Sequence, residues 1–494
     1  MSYIRKLASQ TVVYGVSTIA GRFINFLLVP LYTACFNPHD YGIVTDLYAL
    51  VAFFNILLVY GMETAFFNFA RLNKYKTTSF FSTALNSLMF TTLAFLLLGS
   101  LFKNYIATIL GYEDNSLYIL CFVWILGIDA LCSLPFALLR QQEKPLRFSL
   151  IKLLNIGINV LFNLYFLVLA PQLTSKGINA PFYDEKIGVG YIFISNLAAS
   201  VFTAILLIPE FVKFGIKAEK TLRKEMLKYA WPLIFSGLAS MANETFDRAA
   251  LKYLTPQSDK LYEVGVYGAF YKLSMIMTIF VQAFRYAAEP FFFNRHKSED
   301  SKVVYARVLD YFVITCCFIF VFTMLFINEL SPIIIRKKEY FSHPDGMYIV
   351  PILLLANLFL GIYYSISVWY RLTDNTRKGS VISIIAAVLT ILLNIIFIPY
   401  YGFKASAWAT LAVYVFLAFA NYIVGQKYFK VPYNIPKISL FIILSMATYI
   451  LSKFINENIH LNHYLMNFII LAVFSILIYF TEFKIYKNYY ANRN

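Results

Sequence analysis

Apolar runs about 20 residues long, enough to cross a hydrocarbon core of ~30 Å as helices, recur along this whole chain. They leave little open except a membrane-spanning helical bundle. Of 494 residues, 60% are hydrophobic and 14% charged. The runs fall at roughly 11–34, 42–69, 80–102, 117–139, 148–170, 187–209, 228–251, 264–291, 306–328, 347–370, 380–398, 403–424, 438–455 and 464–481. The expected fold is an all-α polytopic membrane protein with about fourteen transmembrane helices. Arg5 and Lys6 precede the first run, as in a signal peptide. That run is too long, carries Arg22 in its middle and lacks a small-residue cleavage site, so it reads as the first span.

A net charge of +16 would suggest nucleic acid in a soluble protein, but here the loops account for it. Alternate loops, from Arg5/Lys6 and Arg71/Lys74/Lys76 to Lys484/Lys487/Arg493, hold 27 of the 42 basic residues. The positive-inside rule then puts both termini in the cytoplasm, which needs an even number of spans. No nucleic-acid partner is implied. The five cysteines lie in or beside spans without disulfide or metal-ligand spacing.

The chain is also duplicated. Tyr60-Gly-Met-Glu63-Thr-Ala-Phe66-Phe67-Asn68 returns 226 residues later as Tyr286-Ala-Ala-Glu289-Pro-Phe-Phe292-Phe293-Asn294. The same register pairs Arg22 with Arg248, Pro30 with Pro256, Tyr41 with Tyr267, Gly42 with Gly268 and Phe54 with Phe280. Polar residues and proline are rare in apolar segments, so chance similarity does not explain the set. A second echo, offset by 231, pairs Arg140 with Arg371 and Asn163 with Asn394. Six spans separate span 1 from span 7, so both copies keep one orientation and form parallel repeats, a transporter trait. The expected domains are a six-helix lobe over 1–209, a cytoplasmic linker over 210–227, a second six-helix lobe over 228–430, and two further helices with a tail over 431–494.

Ionisable residues inside a bilayer cost several kcal/mol unless they face protein or water, so each is a functional candidate. Thr18, Gly21, Arg22 and Asn25 share one face of span 1. Glu244, Asp247 and Arg248 share the matching face of span 7, and Thr278, Gln282, Arg285 and Glu289 share a face of span 8. These stripes suit either a hydrated cavity between bundles or salt bridges inside each bundle, for which Glu244 and Arg248 are spaced. Glu63 and Glu289, near the cytoplasmic ends of spans 2 and 8, read as gates, as ion carriers, or as anchors to a nearby cation such as Arg71 or Arg295. Asp46 and Lys272 hold equivalent repeat positions with opposite charge, which suits an outer-gate pair. Lys152 can snorkel. Arg140/Lys144/Arg147 and Arg371/Arg377/Lys378 either collect an anionic headgroup or simply set topology.

No catalytic set, no phosphate-binding loop and no metal spacing is present, so the chain reads as a non-enzyme without a cofactor. Duplicated lobes with buried charge fit alternating access better than a fixed pore.

The whole chain resembles Wzx-type polysaccharide and lipid-linked oligosaccharide flippases, in the MOP superfamily with MATE antiporters and MurJ. Carrying the resemblance are Phe26-Leu-Leu-Val-Pro30-Leu-Tyr, the Tyr41-Gly42 step, and the Tyr60–Phe67 and Tyr286–Phe292 stretches. It implies a V-shaped pair of bundles around a central cavity in the bacterial inner membrane. It also implies transfer of an undecaprenyl-pyrophosphate-linked glycan to the periplasmic leaflet, with membrane lipids, a polysaccharide polymerase and glycosyltransferases as partners. Arg22, Arg248, Lys272 and Arg285 would contact diphosphate or acidic sugar, a reading from their chemistry rather than from a family signature. The other reading is a sodium- or proton-coupled small-molecule antiporter, which Glu244 and Asp247 would suit.

Overall fold

The computed structural model describes residues 21, 23–24, 26–72, 77–213, 215, 218–295, 298–458 and 462–491, and among these no strand occurs. Eleven of the described helices are long and apolar enough to cross a membrane. Phe90, Leu97, Ile443, Ile450 and Phe454 are each more than half exposed. A soluble monomer does not show apolar surface on this scale, so these side chains belong in lipid.

The first helices are α1 (Val29–Cys35), α2 (Pro38–Val59), α3 (Met62–Leu72), α4 (Thr77–Leu101), α5 (Lys103–Leu110) and α6 (Ser116–Gln141). Then come α7 (Pro145–Leu164), α8 (Ala170–Ser175), α9 (Gly190–Leu206), α10 (Ile208–Val212) and α11 (Lys220–Leu254). The remainder are α12 (Lys260–Arg295), α13 (Ser301–Leu325), α14 (Ile327–Ile334), α15 (Ile349–Ile366), α16 (Val368–Leu372), α17 (Thr376–Tyr401), α18 (Phe403–Tyr428), α19 (Ile435–Asn458) and α20 (His463–Ala491). Helices α9 and α11 stand where the sixth and seventh apolar runs predict them.

Local chemistry sets the ends. Pro38 fills the first turn of α2, where its missing N–H costs nothing, and the Asn37 side chain accepts from the Asp40 amide at 2.9 Å. The single span expected over 42–69 is in fact two helices. Tyr60 is left-handed at φ 35° and Gly61 follows at φ 71°, ending α2 and starting α3. Apolar residues continue past this point, so the run reads as one span, but the left-handed backbone pair ends the helix. The expected fifth span is continuous over Pro145–Ser175, with a π-helical turn at Tyr165–Leu169 between α7 and α8.

The chain forms two compact units, Met1–Gly268 with Ser383–Ser406, and Ala269–Ile382 with Ala407–Asn494. In the first, Met62, Phe66, Phe81, Leu134, Leu138 and Met226 form a core joining α3, α4, α6 and the start of α11. In the second, Ala288, Phe292, Tyr305, Val368 and Val431 form another. Asn163 and Asn394, the pair from the fainter echo, are both fully buried and both donate to the carbonyl four residues back at 2.8 Å.

Candidate functional site: buried ion pairs and a cationic cleft

Glu63 and Glu289 each make an ion pair inside their own unit, with Arg140 and Arg371 respectively. The cations are those of the 231-residue echo rather than Arg71 or Arg295. In both pairs the arginine Nε is buried without a partner. Aromatic rings support both guanidiniums: Arg140 lies 5.0 Å from the Phe67 ring centroid, and Arg371 lies 5.8 Å from that of Tyr370.

The second unit adds a further cation. Arg285 stands over the Tyr364 ring at 4.4 Å. It lines one cleft with Glu289, Ser365 and Arg371, and the buried Ser365 hydroxyl there has no hydrogen-bond partner. Two guanidiniums against one carboxylate leave this cleft one positive charge in excess. Gln282, a turn earlier on α12, is buried, and Lys272 is half-buried.

In the first unit, Asp46 on α2 is fully buried. Its Oδ2 accepts from Lys252 Nζ at 2.8 Å and from the Tyr112 hydroxyl at 2.6 Å. Lys252 also donates to the Leu110 carbonyl at 2.6 Å and lies 3.7 Å from the Tyr112 ring centroid. Asp247 is buried and accepts from the Tyr267 hydroxyl at 2.5 Å, while its Oδ1 takes the Arg248 amide at 2.9 Å. Arg248 is half-buried and within electrostatic reach of Tyr41. Glu244 is exposed, and the ion pair its spacing to Arg248 predicts does not form among the described residues. The i+4 spacing allows such a pair without requiring it. Arg22 and Asn25 lie outside the described residues. Among the described residues no group of three potential metal ligands occurs.

The sequence profile of the family described as "Polysaccharide biosynthesis protein" matches residues 7–296, more than half of the chain. The chain belongs to the polysaccharide biosynthesis protein family. No curated protein matches it in sequence. The fold is that of solved relatives. "Lipid II flippase MurJ, inward closed conformation" aligns at 15% identity and TM-score 0.72, covering 96% of this chain and 100% of that one. The inward-facing conformation of a multidrug resistance MATE family transporter aligns at 13% identity and TM-score 0.62, covering 88% and 98%. An outward-facing conformation of a MATE family transporter gives 13% and 0.58, covering 89% and 99%.

This member of the polysaccharide biosynthesis protein family holds further buried charge, in which Lys152 meets a partner that the sequence pattern did not single out. Asp129 on α6 and Lys152 on α7 lie within electrostatic reach of each other, and Lys152 also feels Glu63 and Arg140. Lys152 sits 4.2 Å from the Phe136 ring centroid. Asp310 on α13 pairs with Lys437 on α19 at 3.3 Å, both largely buried. Finally, α19 and α20 enclose an open apolar groove of about 710 Å³, lined by residues that include Leu444, Leu451, Phe454, Ile469, Val473 and Leu477.

Proposed function

We propose that this protein moves an undecaprenyl-pyrophosphate-linked oligosaccharide from the cytoplasmic to the periplasmic leaflet by alternating access. It works in the bacterial inner membrane with both termini cytoplasmic. Residues 1–209 and 228–430 act as the two lobes, joined by 210–227, and 431–494 supply the extra helices. The observation that carries this reading is the cluster of Arg285 and Arg371 against the single carboxylate of Glu289, whose excess positive charge suits an anionic group of the cargo. Guanidinium forks hold phosphate oxygens in pairs. The groove of α19 and α20 offers a polyprenyl tail an apolar seat beside the lipid. Arg22, Arg248, Lys272, Gln282 and Asn25 line the glycan path, and Glu63, Glu289, Glu244, Asp247 and Asp46 serve gating or ion coupling. A polysaccharide polymerase and glycosyltransferases act downstream and upstream.

The test is the fate of the lipid-linked glycan in cells lacking this protein, complemented with wild type or with Arg285→Gln. Among the described residues Arg285 makes no ion pair, so the substitution strands no carboxylate. Build-up of the linked unit on the cytoplasmic leaflet is expected, relieved by wild type and only weakly by the variant. Normal surface glycan without an intermediate, in a strain free of redundant flippases, would overturn this reading in favour of a coupled small-molecule antiporter.

A further inference from the structure

Asp46, Lys252 and Tyr112 sit where the two copies of the duplication meet at one end of the membrane domain. Helix α2 belongs to the first copy, and α11 and α12 to the second. Beside the triad, α2 and α12 approach to backbone contact. A Cβ on Gly42 would lie 1.9 Å from the Leu261 carbonyl oxygen, and one on Gly265 would lie 1.8 Å from that of Pro38. The rim carries an exposed His39–Asp259 pair at 2.8 Å. Loop charge assigns this end to the periplasm.

The triad is unevenly satisfied. Lys252 and Tyr112 both donate to Oδ2 of Asp46, while Oδ1 is buried with no donor. A buried carboxylate with one empty oxygen recovers only part of its lost hydration. The duplication also cannot build this device twice, because Lys252 answers to Phe26 in the first copy and Asp46 to Lys272 in the second.

We propose that Asp46, Lys252 and Tyr112 form a charge lock that closes the periplasmic end and, by leaving Asp46 half-satisfied, keeps that closure poised to open. Opening returns both charges to water, which offsets the lost contacts. A matched pair of apolar side chains gains nothing from water and holds the end shut more firmly. Removing only the cation leaves the carboxylate stranded and drives the end open. The lock rests on the alternating-access reading but not on the identity of the cargo.

The experiment uses the full chain with its five cysteines replaced and a single cysteine at position 49, a buried site one turn below Asp46 on α2. A membrane-impermeant maleimide is added from the periplasmic side, with no glycan needed, so failure here is separate from failure of the flippase reading. Lys252→Met and Lys252→Gln are each expected to raise the labelling rate on the order of tenfold or more. The double variant Asp46→Leu/Lys252→Met is expected to label more slowly than wild type, and the exchange Asp46→Lys/Lys252→Asp to return toward it. Gel filtration in detergent confirms folding of each. Unchanged labelling in both Lys252 variants overturns the lock. A double variant that labels as fast as the single ones overturns the poising.

Discussion

The two copies of the Tyr-x-x-Glu frame fold differently around the same ion pair. In the first copy the chain turns left-handed at Tyr60–Gly61 and the helix breaks. In the second, Tyr286–Glu289 lies inside the unbroken α12. Yet Glu63 and Glu289 both reach an arginine at echoed positions, Arg140 and Arg371. The electrostatic contact is thus the shared element, and the backbone path to it is not. Gly61 is Ala287 in the second copy. Alanine favours continued helix, whereas glycine takes positive φ without a Cβ penalty. Gly61 also lies close to α11, where a Cβ would sit 3.0 Å from Leu233 Cβ and 3.1 Å from the Ala230 carbonyl oxygen.

The comparison breaks most severely at the repeat-equivalent glycines Gly42 and Gly268. An added Cβ at Gly42 meets backbone, whereas at Gly268 it meets the Thr45 side chain and no backbone atom among its three nearest neighbours. Gly42→Ala should cost about 3 kcal/mol and Gly268→Ala about 1 kcal/mol, the two ends of the overpacking range. Thermal unfolding in detergent measures both. Equal losses would mean that the two copies pack alike there.

The helix break gives a smaller contrast. Gly61→Ala forces a Cβ into the left-handed region and should cost about 1–2 kcal/mol. Ala287→Gly should cost about 0.5–1 kcal/mol as an ordinary helix-interior change. If Gly61→Ala instead raises the unfolding temperature, the break is an accident of the first copy rather than a requirement.

The ion pairs should differ least in stability and most in use. Double-mutant cycles through Glu63→Gln/Arg140→Gln and Glu289→Gln/Arg371→Gln should each give coupling of about 1 kcal/mol, because both pairs are partly exposed. Transport should fall further for Arg371→Gln than for Arg140→Gln, since only Arg371 also lines the Arg285 cleft. Equal transport defects would remove the cleft from the cargo path.

Much of this fold is legible in the sequence because lipid enforces long apolar runs, and duplication prints its polar residues twice. Glu63, Glu289, Arg140 and Arg371 all stand out that way, although their pairing becomes visible only in three dimensions. Lys252 and Asp129 do not stand out. Each lacks a charged counterpart in the other copy, and Lys252 lies 206 residues from its partner Asp46. The break at Tyr60–Gly61 was hidden for another reason. Hydropathy reports burial in lipid, whereas a left-handed pair of residues is a matter of backbone torsion.

The Asp310–Lys437 pair sets a boundary on how this protein can be cut or recombined. Lys437 belongs to the last helical pair, and Asn467 of that pair donates to the Leu325 carbonyl at 2.7 Å. Deleting 431–494 would remove Lys437 from Asp310 and the Asn467 donor from the Leu325 carbonyl. A version ending before α19 would therefore need compensating changes on α13 first, so the terminal helices are integral to the second unit and not a removable accessory.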